Sequence, residues 1–210
     1  MSMPELHVIS NGRQPLPQFA SLAGKIFPHV TSFHLREKSK SSRELVQAIE
    51  WMLEAGVPAK QIVVNDRVDV AWSCHTGGAH LAYHSLEVER VKSAFPGMRT
   101  GCSVHSAVEA ALVEQQGADY VLFGHVFPSQ SKPDLPPRGL DALREAAASV
   151  RLPVIAIGGI TPDNASQVIR AGASGIAVMS GIVDAADPAA RVQAYIRAIH
   201  KGRRSHDPSC

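Results

Sequence analysis

The stretch Asp119-Tyr-Val-Leu-Phe-Gly-His125 decides how this sequence is read. Between Asp119 and Gly124 runs an unbroken apolar segment of strand length, the pattern of a strand covered on both faces in a parallel sheet. It stops at a glycine and sets a histidine just past the carboxyl end of the strand. In an α/β barrel that end is where ligands are handled, and an imidazole exchanges protons near neutral pH. His125 is therefore the candidate catalytic residue.

Working outward, similar apolar runs fall at 6–9, 30–35, 61–64, 79–81, 99–104, 154–157 and 175–179, which with 120–123 makes eight expected strands. Helix-length segments separate them. Ser41 with Glu44 and Ser106 with Glu109 have the spacing of a capping box, and Thr161-Pro162 places a cap before a proline suited to a first turn. Gly56, Gly117 and Gly172 stand where a left-handed residue closes a helix. Eight strand-helix units without a composition break predict an α/β fold, a closed (β/α)8 TIM barrel over residues 1–202 with a flexible tail at 203–210, rather than an open doubly wound sheet. Residues 76–85 and 128–139 depart from this economy. The second, holding Pro128, Pro133, Pro136 and Pro137, reads as a stiff loop beside the site.

With 210 residues, 45% of them hydrophobic, the chain can bury a full core. A formal net charge of +2 is too small to argue for nucleic acid or a membrane surface, and neither is expected as a partner, while small anionic ligands stay compatible with locally placed basic residues. Cys74, Cys102 and Cys210 are scattered, so neither a disulfide framework nor a thiolate metal site is expected. No apolar run has membrane-spanning length and the amino terminus has no secretion-signal pattern, so a cytoplasmic protein is expected.

Phosphate in barrels is commonly held by the loops after strands seven and eight. Here those loops carry Gly158-Gly159 before Thr161, and Ser180-Gly181, which together predict a phosphorylated small molecule as ligand. After strand two, alternation turns His34 and Arg36 inward, Arg36 nearer the mouth. His34 reads as a hydrogen-bonded interior residue. Arg36 needs an anion, either Glu37 or Asp66 in an ion pair or a ligand held jointly with Lys38. Asn65, Asp66 and Asp69 look like ordinary residues of a helix start, although Asn65 is placed to reach a ligand. His80 and His84 lack a third metal ligand by spacing, and His105 either lines the mouth or bonds a loop.

Taken together, His34-Leu-Arg-Glu-Lys-Ser-Lys40, Asn65-Asp-Arg-Val-Asp69, Ser103-Val-His-Ser106, Ala118-Asp-Tyr-Val-Leu-Phe-Gly-His-Val-Phe127, Pro153-Val-Ile-Ala-Ile-Gly-Gly-Ile160 and Gly175-Ile-Ala-Val-Met-Ser-Gly181 resemble the thiamin phosphate synthase superfamily of barrels, and more closely its thiazole tautomerase branch, the TenI type. The resemblance implies an isomerase without metal or cofactor, in which His125 moves a proton on a carboxylated thiazole phosphate. Arg36 and Lys38 would neutralise the carboxylate, Gly158, Gly159, Ser180 and Gly181 would hold the phosphate, and Asn65 and Ser103 would complete the substrate site, in a homodimer. Asp66 matches one magnesium-binding carboxylate of the synthase branch. The second should follow strand four, where the sequence instead reads Leu81-Ala-Tyr-His-Ser85. The alternatives are a divergent magnesium-dependent thiamin phosphate synthase, with His84 or water in place of the missing ligand, and a barrel that binds a thiazole or thiamin phosphate to regulate a partner without catalysis.

Overall fold

A computed structural model describes residues 3–130 and 133–204. Its eight strands are β1 (Glu5–Ile9), β2 (Ser32–Leu35), β3 (Ile62–Asn65), β4 (Gly78–Leu81), β5 (Thr100–Val104), β6 (Tyr120–Gly124), β7 (Val154–Ile157) and β8 (Gly175–Val178). Each pairs in parallel with the next, and β8 returns to β1, closing the barrel expected from the sequence. The seam sets Glu5 against Gly175 and Leu6 against Ile176. It needs a glycine, because a Cβ at position 175 would lie 2.4 Å from the Glu5 carbonyl oxygen.

The helices are α1 (Leu16–Ile26), α2 (Ser42–Glu54), α3 (Val68–Ser73), α4 (Val88–Ala94), α5 (Ala107–Gln115), α6 (Gly139–Ser149), α7 (Ala165–Arg170), α8 (Ser180–Val183) and α9 (Pro188–Arg204). At the start of α2, Ser41 accepts from the Glu44 N–H while Glu44 reaches back to the Ser41 N–H, the reciprocal box its spacing predicts. Ser106 caps α5 in the same way, but Glu109 bonds the N–H of His105 instead. The cap expected at Thr161 is not one. The Thr161 carbonyl accepts from the Asn164 N–H and closes a turn, with Asn164 Oδ1 on the Thr161 N–H, and α7 begins later, at Ala165. Helix α9 runs through Arg204, past the expected start of the tail, and 205–210 lie outside the described residues.

Strand alternation divides the core. Val8, Phe33, Leu35, Val64, Leu81, Val121, Phe123, Ala156 and Val178 face outward and pack under helix residues such as Phe19, Leu45, Ile49 and Leu143. Inside the barrel, Ile9, Tyr120, Leu122, Ile155 and Ala177 form a separate cluster. Among the described residues no helix is long and apolar enough to cross a membrane.

Candidate functional site

The mouth lies at the carboxyl ends of the strands. Arg36 follows β2, its backbone N–H donating to Ser10 Oγ at 2.9 Å. Lys38, two residues on, is exposed. Neither side chain forms an ion pair among the described residues, so the partners Glu37 and Asp66 considered for Arg36 are not engaged. Two cations without an ion pair among the described residues, two positions apart at a barrel mouth, are suited to an anion.

After β3, Asn65 is half-buried and Asp66 adopts left-handed backbone at φ 67°, a conformation aspartate tolerates better than most side chains. His84, from the loop after β4, brings Nε2 to 3.6 Å from Asp66 Oδ2. No other acidic, histidine or cysteine side chain among the described residues joins them in a cluster able to hold a metal. His80 is not paired with His84. It lies inside the barrel on β4, with Nε2 2.9 Å from Ser103 Oγ on β5. His105 bonds the Gly124 carbonyl at the end of β6 through Nδ1, and thus neither of the two roles considered for it is singled out.

His125 is 6% exposed, and its Nε2 donates to the Leu135 carbonyl at 3.1 Å. The imidazole thus ties the proline-rich loop down beside the mouth. Across from β6, Gly158 and Gly159 have φ of 99° and 64°. Their lack of side chains has a packing cause: a Cβ at Gly158 would lie 2.1 Å from His125 Cβ, and one at Gly159 would lie 2.3 Å from the Pro128 carbonyl oxygen. Ser180 is exposed at the head of α8, while a Cβ at Gly181 would strike the Tyr195 hydroxyl. The structure thus brings Arg36, Lys38, Asn65, Ser103, His125, Gly158, Gly159, Ser180 and Gly181 to the ends of β2, β3, β5, β6, β7 and β8, around one opening.

Beneath it lies a polar wall of which the sequence pointed only to His34 and His80. His7 Nε2 meets Glu5 Oε2 at 2.8 Å, and His7 Nδ1 meets His34 Nε2 at 3.0 Å. The rings of His34 and His80 stand 5.4 Å apart, Tyr120 packs edge-on to His34, and the Arg99 guanidinium lies 4.2 Å from the Tyr120 ring centre. Burial pushes all three imidazoles below their ordinary pKa: His34 strongly, His80 to about 3, and His7 less because Glu5 opposes the shift. Burial works against ionisation of Glu5, yet its hydrogen bond to His7 and the nearby charges hold it below the usual value. The signal for His7 was available, since it alternates with the outward-facing Leu6 and Val8.

A family model described as thiamine monophosphate synthase matches residues 7–182. The thiamine-phosphate synthase of Chlorobium phaeovibrioides is 38% identical over 204 residues, covering 96% of this chain and 97% of the relative. That of Pyrococcus furiosus is 36% identical over 191 residues, covering 87% and 88%. A solved structure of thiamine phosphate pyrophosphorylase from Pyrococcus furiosus superposes with a TM-score of 0.80 at 31% identity, covering 94% of this chain and 96% of that one. These relatives are named for joining molecules, not for rearranging one, and they overturn the isomerase expectation: the motifs that suggested it sit on a framework shared with transferases. The chain belongs to the thiamine monophosphate synthase family.

Proposed function

We propose that this chain is a transferase of the thiamine-phosphate synthase kind, joining a pyrimidine diphosphate to a thiazole phosphate with release of diphosphate. The observation that carries the reading is the pair Arg36 and Lys38 at the mouth, neither in an ion pair among the described residues. In the coupling step the thiazole ring nitrogen donates its electron pair to the pyrimidine carbon that bears the diphosphate. The carbon–oxygen bond breaks, and its electrons leave on the diphosphate. Arg36 and Lys38 meet the charge that grows there, an interaction strongest once the bond is breaking. Phosphate on the thiazole would sit by Gly158, Gly159, Ser180 and Gly181, and Asn65 and Ser103 would orient the pyrimidine partner. The step moves no proton, so His125 is free to hold the loop at Leu135.

Magnesium commonly binds through one or two carboxylates together with substrate phosphates, and the donor set fits that pattern: Asp66 is a carboxylate at the mouth with His84 beside it. Magnesium held there would supply charge neutralisation on the diphosphate. Incubation of the purified protein with both substrates and magnesium should yield thiamine phosphate and diphosphate in equal amounts, followed by chromatography. No product across a range of magnesium concentrations would overturn the proposal.

A further inference from the structure

The barrel interior holds four buried polar atoms without a hydrogen-bond partner among the described residues: His34 Nδ1, His80 Nδ1, Asn65 Oδ1 and the Tyr120 hydroxyl. The proton order along part of this wall follows from chemistry. An ionised Glu5 carboxylate only accepts, so the proton of His7 is on Nε2, 2.8 Å away. His7 is enclosed and neutral, which leaves its Nδ1 bare to accept from His34 Nε2–H at 3.0 Å. His34 is neutral as well, and its Nδ1 is therefore an acceptor too. In the β2–β3 ladder His34 stands opposite Val63, which places Asn65 one pleat higher on the same inner face, beside the imidazole. His34 Nδ1 and Asn65 Oδ1 are two acceptors, each lacking a donor. An amide has the same outline either way round. Turning it over puts Nδ2–H on His34 and directs Oδ1 away.

We propose that Glu5, His7 and His34 are positioning residues that lock the Asn65 amide with its nitrogen inward and its oxygen presented to the mouth, so that this point of the site selects a substrate group that donates a hydrogen bond. The charge at the foot of β1 is thereby read at the end of β3. The relay rests on the transferase reading only for the choice of substrates.

The decisive measurement is a long-range proton–nitrogen correlation spectrum of histidine-labelled protein at neutral pH. His7 and His34 should both carry hydrogen on Nε2 alone. In Glu5→Gln, whose amide either accepts or donates, His34 should show a second population protonated on Nδ1. With the coupling substrates, the same variant should raise the KM of one substrate about fivefold with kcat nearly unchanged, the scale of one misdirected hydrogen bond. It should add nothing in an Asn65→Ala background. A parent His34 protonated on Nδ1, a Glu5→Gln spectrum identical to the parent's, or fully additive kinetics for the two variants would overturn the relay. Because the spectra need no turnover, an inactive protein would count against the transferase reading alone.

Discussion

Arg36 and Lys38 sit two residues apart and differ in the work they are suited to. A planar guanidinium such as that of Arg36 can grip two oxygens at once, whereas an ammonium such as that of Lys38 is a compact charge on a flexible stem. Inorganic diphosphate should bind Arg36→Ala about 10- to 100-fold more weakly than the parent, as expected for loss of one charge-assisted bond, with a smaller loss for Lys38→Ala. Calorimetric titration measures both, and equal affinities in parent and variants would remove these residues from the site. At this scale the sequence was partly legible. Alternation correctly turned His34 inward, and strand position correctly set His125 beside the mouth. It could not reveal that His125 bonds Leu135, ten residues on, because the path of a proline-rich loop depends on what it folds over. Nor did it reveal Glu5 as a partner of His7, since a carboxylate at a strand start is ordinarily solvated.

Among the elements, those with side-chain caps were the most readable. Ser41 supplies an oxygen to an amide that the first turn of α2 leaves free, and Glu44 returns the favour. Ser41→Ala should lower stability by about 1 kcal/mol, seen as a shift of the urea midpoint with an unchanged slope. Unchanged stability would mean that solvent satisfies those amides as well as the box does. Thr161 before Pro162 carried a different signature, and there the backbone decided: the Thr161 carbonyl takes the N–H groups of Asn164 and Ala165 in a turn, and the helix starts after Asn164. The strands were legible because most alternate or run wholly apolar, and the structure moves their limits by at most two residues.

For the molecule as a whole, the barrel interior sets a dependence on acidity. His7, His34 and His80 stay neutral in the fold at pH values where the unfolded chain takes up protons, so stability is fully present above about pH 6.5 and falls on acidification. Glu5 acts in the same direction at lower pH: held below its ordinary value, it contributes above the unfolded carboxyl range and loses that contribution as the carboxylate is protonated. Arg99, over Tyr120, discourages further positive charge on His7 and His80. The urea midpoint should therefore be lower at pH 5 than at pH 7, and an unchanged midpoint would show that these imidazoles are not neutral when folded. The closed ring has a narrower dependency at Gly175, where β1 and β8 come together only because one carbon is missing. Any larger residue there would wedge the first strand from the last and turn a seamless cylinder into a ribbon with two raw margins. Such margins pair with those of neighbouring molecules, so that single hydrogen side chain is also this protein's safeguard against clumping.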